Sequence, residues 1–450
     1  MYSPTRRNFI RQAACAALGT TGLINTIFDL RKLSAATILA SDYKALVCLF
    51  LYGGNDANNV IVPHDTNGYA SYSTARGALA IPKASLLPLT LSGGRDFGFH
   101  PNLSELQSLF NQGKLAMVAN VGTLVAPITR AQYLAGGAAV PPQLFSHSDQ
   151  SVQWQTSWPD QPPKTGWAGR TADLLQSLNP GSKVSLTISI AGTNTFEVGN
   201  TVIPYQITPS GTIGLTGISG STNANIRFQA FKDLLAQPHN NLFEQAYADT
   251  VSRSVADNDF ITTALAGVPP LVTVFPGTSL GQQLSMVAKM IGARSNLSMQ
   301  RQIFFVSVGG YDTHGDQLTA QANLLVELSQ GMKAFYDATV EMGVAPSVTT
   351  FTASDFGRTY TTNGGGSDHG WGSHQFVMGG GVLGGDLYGA FPTLAVNGPD
   401  DTGQGRWIPT TSVDEFSATM ATWFGLTNSN LATVFPNIGR FAHPNLGFLG

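Results

Sequence analysis

Three polar clusters in this chain carry residue types that hold cations or anions. "GGNDANN" contains Asp56, "YDTHGDQ" contains Asp312, His314 and Asp316, and "SDFGRTYTTNGGGSDHGWGSHQF" contains Asp355, Arg358, Asp368, His369 and His374. Carboxylate oxygens and neutral imidazole nitrogens together make a mixed shell for a divalent ion such as zinc or manganese, and carboxylates alone suit calcium. Two such ions side by side would clamp an anionic ester, activating the attacking oxygen and stabilising the leaving one. Arg358 offers a planar fork for phosphate or sulfate oxygens, and the neighbouring glycines allow close approach of backbone to an ion or oxyanion.

Each residue also has a plainer role open to it. Asp56 between Asn55 and Asn58 can close an Asx-turn. His314 can hydrogen-bond a loop carboxylate, and Asp355 can cap a helix. Of His369 and His374, one is expected to bind an ion and the other to support it or face solvent. His64, His100, His239 and His443 are expected to be structural or exposed, and His147 in "FSHSDQSVQW" is left open.

The elements that must position these clusters are legible as alternating helix and strand signals. "KALVCLFLYGG" (44–54) is a continuous apolar run of the kind buried on both faces of a sheet, and Leu115–Val121, "QIFFVSVGG" (302–310) and "SVTTFTAS" (347–354) read as further strands. Between them "LGQQLSMVAKMIGA" and "ANLLVELSQGMKAFYDATVEMG" read as amphipathic helices, Asn102 with Glu105 as a capping-box start, Gly113 as a stop, and Ser412–Gly425 as a last capped helix. This alternation predicts a three-layer α/β/α sandwich with a mostly parallel sheet. A Trp- and Pro-rich stretch at 150–180 and an alternating, turn-rich stretch at 183–225 interrupt it, so a small β-rich insertion is expected within about 150–230. The three clusters follow three of the apolar strands, where open α/β sheets bind ligands.

Composition narrows the classes. Over 450 residues the net charge is −3, which gives no electrostatic footprint for nucleic acid. Only 11% of residues are charged, against about 25% in typical domains. "SPTRRNFIRQAACAALGTTGLI" pairs Arg6 and Arg7 before an apolar, small-residue stretch and resembles a twin-arginine export signal, here bounded at residues 1–40. That implies the twin-arginine translocation machinery as a partner and a periplasmic or secreted location, with residues 41–450 as the working domain. Cys15 falls in the signal and leaves Cys48 alone, so no intramolecular disulfide or thiolate metal site is expected. No later apolar run reaches the roughly 20 residues of a membrane span.

The blocks "LYGGNDANN", "YDTHGDQ", "SDFGR" and "DHGWGSHQFVMGG" resemble the domain-of-unknown-function 1501 family and, more distantly, the alkaline phosphatase and sulfatase superfamily. The resemblance implies an alkaline-phosphatase-like α/β/α domain with a two-metal site. It carries Asp56, Asp312, Asp355 and His369 over as ligands. Phe356 stands where the superfamily usually has histidine, and Asp316 stands where a second histidine is usual, with His314 as a substitute. The superfamily's nucleophile position falls on Ser146, Ser148 or Ser151, of which Ser148 is the candidate. The sequence therefore predicts a metal-dependent hydrolase of phosphate or sulfate esters, small or linked to polysaccharide, with Ser148 and Arg358 catalytic. Asp56, Asp312, His314, Asp355, His369 and His374 are the expected metal ligands. The competing expectation is a non-catalytic binding or assembly protein with a degenerate site.

Overall fold

A computed structural model describes residues 43–215, 217 and 220–450; the expected export signal lies outside the described residues. At the centre is β1 (Lys44–Leu51), buried from its second residue on. Its side chains split by strict alternation. Ala45, Val47, Leu49 and Leu51 enter one apolar cluster, and Leu46, Cys48 and Phe50 enter another. A strand sandwiched between two helical layers requires that period of two.

Strand β1 pairs in parallel with β9 (Arg301–Val308) on one side and β10 (Val348–Ser354) on the other. The full order is β12 (Leu387–Tyr388), β5 (Leu115–Gly122), β11 (Ser373–Gly379), β10, β1, β9, β6 (Thr187–Ser189), β7 (Tyr205–Thr208), β8 (Gly211–Thr212), and β13 (Thr411–Ser412) also pairs β5. Among the described residues only β11 and β8 run antiparallel to their neighbours in this sheet. A separate antiparallel sheet of β2 (Ile61–Pro63), β4 (Asp96–Phe99) and β3 (Leu87–Thr90) sits to the side.

Helices cover both faces. Ser104–Asn111, Ser279–Gly292 and Gln317–Glu341 send Leu106, Leu284 and Leu328 into the first cluster. Trp167–Leu175 and Val413–Phe424 send Trp167 and Phe416 into the second. The architecture is the α/β/α sandwich that the alternating signals predict. Ser412 caps the helix Val413–Phe424 through a reciprocal capping box with Glu415.

Some local readings change. Asn102 does not cap the helix Ser104–Asn111; its side chain donates to the Ala322 carbonyl at 2.9 Å and ties the loop to another helix. The turn-rich stretch after residue 183 extends the main sheet, since β6 pairs directly with β9. Two helices, Thr222–Leu235 and Leu242–Ala266, follow it. The Trp- and Pro-rich stretch folds as the helices His147–Thr156 and Trp167–Leu175, with Trp154 and Trp167 buried in the second cluster. Cys48 is a buried free thiol. Among the described residues no helix is long and apolar enough to cross a membrane.

Candidate metal centre

In-register parallel pairing aligns the strand ends that matter. Leu51 lies beside both Val308 and Ser354, so the loops after β1, β9 and β10 leave the sheet at one level. Gly53 is the point where they meet. Its N–H donates to Asp355 Oδ2 at 3.0 Å and its carbonyl accepts from Arg358 Nη1 at 3.1 Å. At φ +117°, a Cβ on Gly53 would lie 2.4 Å from the Asp312 nitrogen, so only glycine allows this approach.

Above Gly53 three imidazoles and a carboxylate converge. His147 Nε2 is 3.1 Å from His369 Nε2 and 3.4 Å from Asp312 Oδ2. His369 Nε2 is 3.4 Å from Asp312 Oδ1. His314 Nε2 is 2.9 Å from His369 Nε2 and 3.0 Å from Asp312 Oδ1. One donor atom each from His147, Asp312 and His369 fall within 4.8 Å of one another.

The acceptor on the far side of His369 and of His147 sets the tautomer of each ring. His369 Nδ1 lies 2.7 Å from the Phe145 carbonyl, which can only accept, so the ring proton is on Nδ1 and Nε2 is bare. His147 Nδ1 faces Asp355 Oδ2 at 2.7 Å, and His314 Nδ1 faces Asp368 Oδ1 at 3.2 Å. Neutral His147 likewise turns an Nε2 lone pair inward; His314 has a carboxylate at each nitrogen, with Asp312 Oδ1 3.0 Å from Nε2, so only its Nδ1–H tautomer does so. Lone pairs and a carboxylate this close repel one another unless a cation lies among them. A proton would bridge one pair; a metal ion would satisfy several donors together.

Charge and burial tune the same groups. Partial burial works to raise the Asp312 pKa, but the hydrogen bond and charge of Arg358, with His314 and His147, outweigh it and hold Asp312 below the ordinary carboxylate value. Arg358 Nη1 donates to Asp312 Oδ1 at 2.7 Å. Burial also lowers the His369 pKa, with the Phe145 hydrogen bond opposing, and this favours the neutral ring a ligand must have. Desolvation raises Asp355, against hydrogen bonds from His147 and Gly53. Its Oδ1 is buried with no partner among the described residues. Phe356, fully buried, packs under the rings with its centroid 4.8 Å from those of His147 and His369.

Other candidates lie elsewhere or act differently. Asp56 is buried away from the cluster, its Oδ2 paired with Arg76 and hydrogen-bonded by Gln317, and its Oδ1 accepting from Asn58 Nδ2 at 3.0 Å. Every lone-pair direction it offers is taken by protein, so Asp56 is an internal counter-ion. His374 is also apart: Nδ1 accepts from the Asn120 N–H at 3.0 Å, the ring stacks on Phe391, and burial lowers its pKa to about 3. Arg358 is buried, and its two terminal nitrogens are spent on Asp312, the Gly53 carbonyl and the Ser367 carbonyl, so it positions the cluster and presents no free fork. Ser148 is exposed on the helix that His147 begins, bonded to Ser146 and Asp149. Asp355 sits behind His147 and orients it.

The long polar loop is folded inward. From Thr352 to Phe376 only Asn363, Gly364 and Gly365 are exposed. Its glycines serve backbone packing: a Cβ on Gly366 would lie 2.2 Å from the Thr313 carbonyl. The residue that the sequence leaves open and the fold brings into the cluster is His147. It stands far from the other clusters in the chain, and its signal was a histidine just after a serine at a helix start.

The family comparison bears on the whole unit. The model described as "Protein of unknown function (DUF1501)" matches residues 43–438. The chain belongs to the DUF1501 family. Comparison with curated proteins returns no match. Among solved structures, the DUF1501 chain is similar to the PsFucS1 sulfatase from Pseudoalteromonas sp. at 10% identity, covering 90% of this chain and 72% of that one, with a TM-score of 0.37. It is similar to the C-terminal periplasmic domain of EcEptC from Escherichia coli at 13% identity, 90% and 89% coverage and a TM-score of 0.31. A mutant of the alkaline phosphatase PafA matches at 10% identity over 71% of this chain and 64% of that one, with a TM-score of 0.27. These are distant likenesses, and none transfers an activity to this DUF1501 protein.

Proposed function

We propose that this DUF1501 protein is an exported, metal-dependent hydrolase of phosphate or sulfate esters, with its reaction centre at His147, Asp312, His314 and His369. The observation that carries the reading is the convergence of imidazole Nε2 atoms on one carboxylate, each ring steadied by an acceptor on its far side. Among His147, Asp312 and His369 the donor spacings run from 3.1 to 3.4 Å, and His314 Nε2 stands 2.9 Å from His369 and 3.0 Å from Asp312. A tetrahedral ion with bonds of about 2.05 Å sets its ligands about 3.3 Å apart. The donor set is rich in nitrogen, which favours zinc over calcium. With Asp56 held by Arg76 and Phe356 under the rings, the second ion implied by the superfamily resemblance has no free ligand set here, so one ion per chain is expected.

A bound divalent ion would polarise the ester oxygen and lower the pKa of a nearby water. The chain's own residues prepare that event. Arg358 holds Asp312 ionised and aimed. Asp355 and Phe145 fix His147 and His369 in the tautomer that turns Nε2 inward, and Asp368 accepts from His314 Nδ1 when its Nε2 serves an ion. Asp312 and His314, with side chains 44% and 45% exposed, leave one side of the cluster open to a substrate from solvent. Export through the twin-arginine machinery to a periplasmic or secreted location is supported by the paired Arg6 and Arg7.

The test is turnover of p-nitrophenyl phosphate and p-nitrophenyl sulfate by the mature protein, before and after chelation, beside Asp312→Asn. Turnover that chelation and Asp312→Asn both abolish is the expected result; turnover indifferent to both contradicts it. A second reading, a metal-holding binding protein without turnover, is favoured by one observation. Ser148 makes no contact with the cluster and Arg358 is already committed, which leaves the nucleophile unassigned.

A further inference from the structure

The helix His147–Thr156 has a second working face. A cavity of about 380 Å³ runs along its Ser148, Asp149, Val152, Gln153 and Thr156 side and is closed by Pro142 and the loop Trp158–Pro163. That volume lies within the range of ligand pockets, roughly 300–1,000 Å³. His147 leaves the helix on the opposite side, given 100° per residue, so the cavity and the imidazole cluster are separated by about one helix diameter, ~10–12 Å.

The lining is chemically specific. Trp158 is half-buried, and its indole has no ring or hydrogen-bond partner among the described residues, unlike the core residues Trp154 and Trp167. Gln153 is 6% exposed and its Oε1 has no partner, while its Nε2 is fixed to the Pro142 carbonyl at 2.8 Å. Asp149 uses only Oδ2, accepting from Ser146 at 2.5 Å and Ser148 at 3.2 Å. Asp160 is anchored by Asn437 and Arg440, each at 3.0 Å. Prolines at 142, 159, 162 and 163 stiffen the walls, so the shape is preformed. An aromatic face bordered by fixed acceptors suits a ligand with an apolar C–H face and several hydroxyl donors. The two carboxylates disfavour an anionic one.

We propose that this cavity is a subsite for a neutral sugar ring of an oligosaccharide whose anionic ester reaches the imidazole cluster around the start of the helix. As a statement about substrate it rests on the ester-hydrolase reading; as a statement about binding it stands alone. The separation requires a chain of sugars, so an ester on a single sugar gains nothing from the subsite.

The experiment titrates the intact mature protein, by calorimetry, with neutral cello-, malto-, xylo- and agaro-hexaose, beside Trp158→Ala and Gln153→Ala. Binding of at least one hexaose is expected, weakened roughly tenfold by Trp158→Ala and also weakened by Gln153→Ala. Metal content should stay unchanged in both variants, and both should remain folded at the titration temperature despite a lowered unfolding midpoint. No binding across the panel, or binding equal in wild type and both variants, overturns the subsite. Specific binding by a protein that fails to cleave any ester upholds the subsite and removes the hydrolase reading instead.

Discussion

Replacing Asp56 by asparagine separates a structural carboxylate from a metal ligand. Asp56 and Arg76 are both fully buried at the side chain and paired. The substitution removes the negative charge and leaves the guanidinium among neutral acceptors only, Asn59 Oδ1 at 3.2 Å and the Thr359 and Tyr360 carbonyls at 3.1 and 3.0 Å. Breaking a buried ion pair by removing one partner costs about 3–5 kcal/mol. The surviving hydrogen bonds and the retained amide of asparagine place this variant near the low end, about 3 kcal/mol. Urea unfolding should show that loss, while elemental analysis of the folded variant shows the same metal per chain as wild type. Adding Arg76→Met to Asp56→Leu removes both charges and should recover much of the loss. Retained stability with lost metal in Asp56→Asn would refute the internal counter-ion and return Asp56 to the metal site.

Other expectations concern the supports of the cluster. Arg358→Met frees Asp312 and removes the charge that holds it ionised, so metal affinity should fall about 10–100-fold, read by competition with a chromogenic chelator. Asp355→Asn keeps the shape behind His147 but weakens its anchor, and a similar loss is expected; unchanged affinity would mean that His147 needs no such support. Glu197 is fully buried and burial raises its pKa to about 8, so the folded state holds a proton there that the unfolded chain has released above its ordinary value of 4.5. Its contribution to stability is present below that ordinary value and is lost as pH rises toward 8. Glu197→Gln should flatten the fall of the unfolding midpoint over that window, and an unaltered pH profile would contradict the assignment.

The layers and the site's address were readable because both rest on strong, local patterns. The continuous apolar run at β1, the apolar QIFFVSV at β9 and the β-branched VTTFTAS at β10 read as buried strands, and polar clusters follow them in the chain. Asp312, His314 and His369 reach the cluster for that reason. Asp56 and His374 stand apart from the cluster for a reason residue type does not reveal: Arg76, at the end of the helix Thr66–Arg76, pairs the loop residue Asp56, and Asn120 holds His374 from another strand. His147 was obscure for the same cause, since it lies 222 residues from His369 and the fold alone joins them. The glycines of the long loop suggested an ion cradle, yet most of that loop is buried and they allow one backbone to lie against another. Phe356 looked like a lost ligand in the sequence; in the fold it is the floor on which two imidazoles rest.

The most direct measurement is the metal content of purified mature protein, taken by elemental analysis beside His147→Ala and Asp312→Asn. One zinc or similar divalent ion per chain in the wild type, and little in either folded variant, is the expected result. A folded wild type without bound metal, or variants that hold it as firmly, would contradict the metal centre.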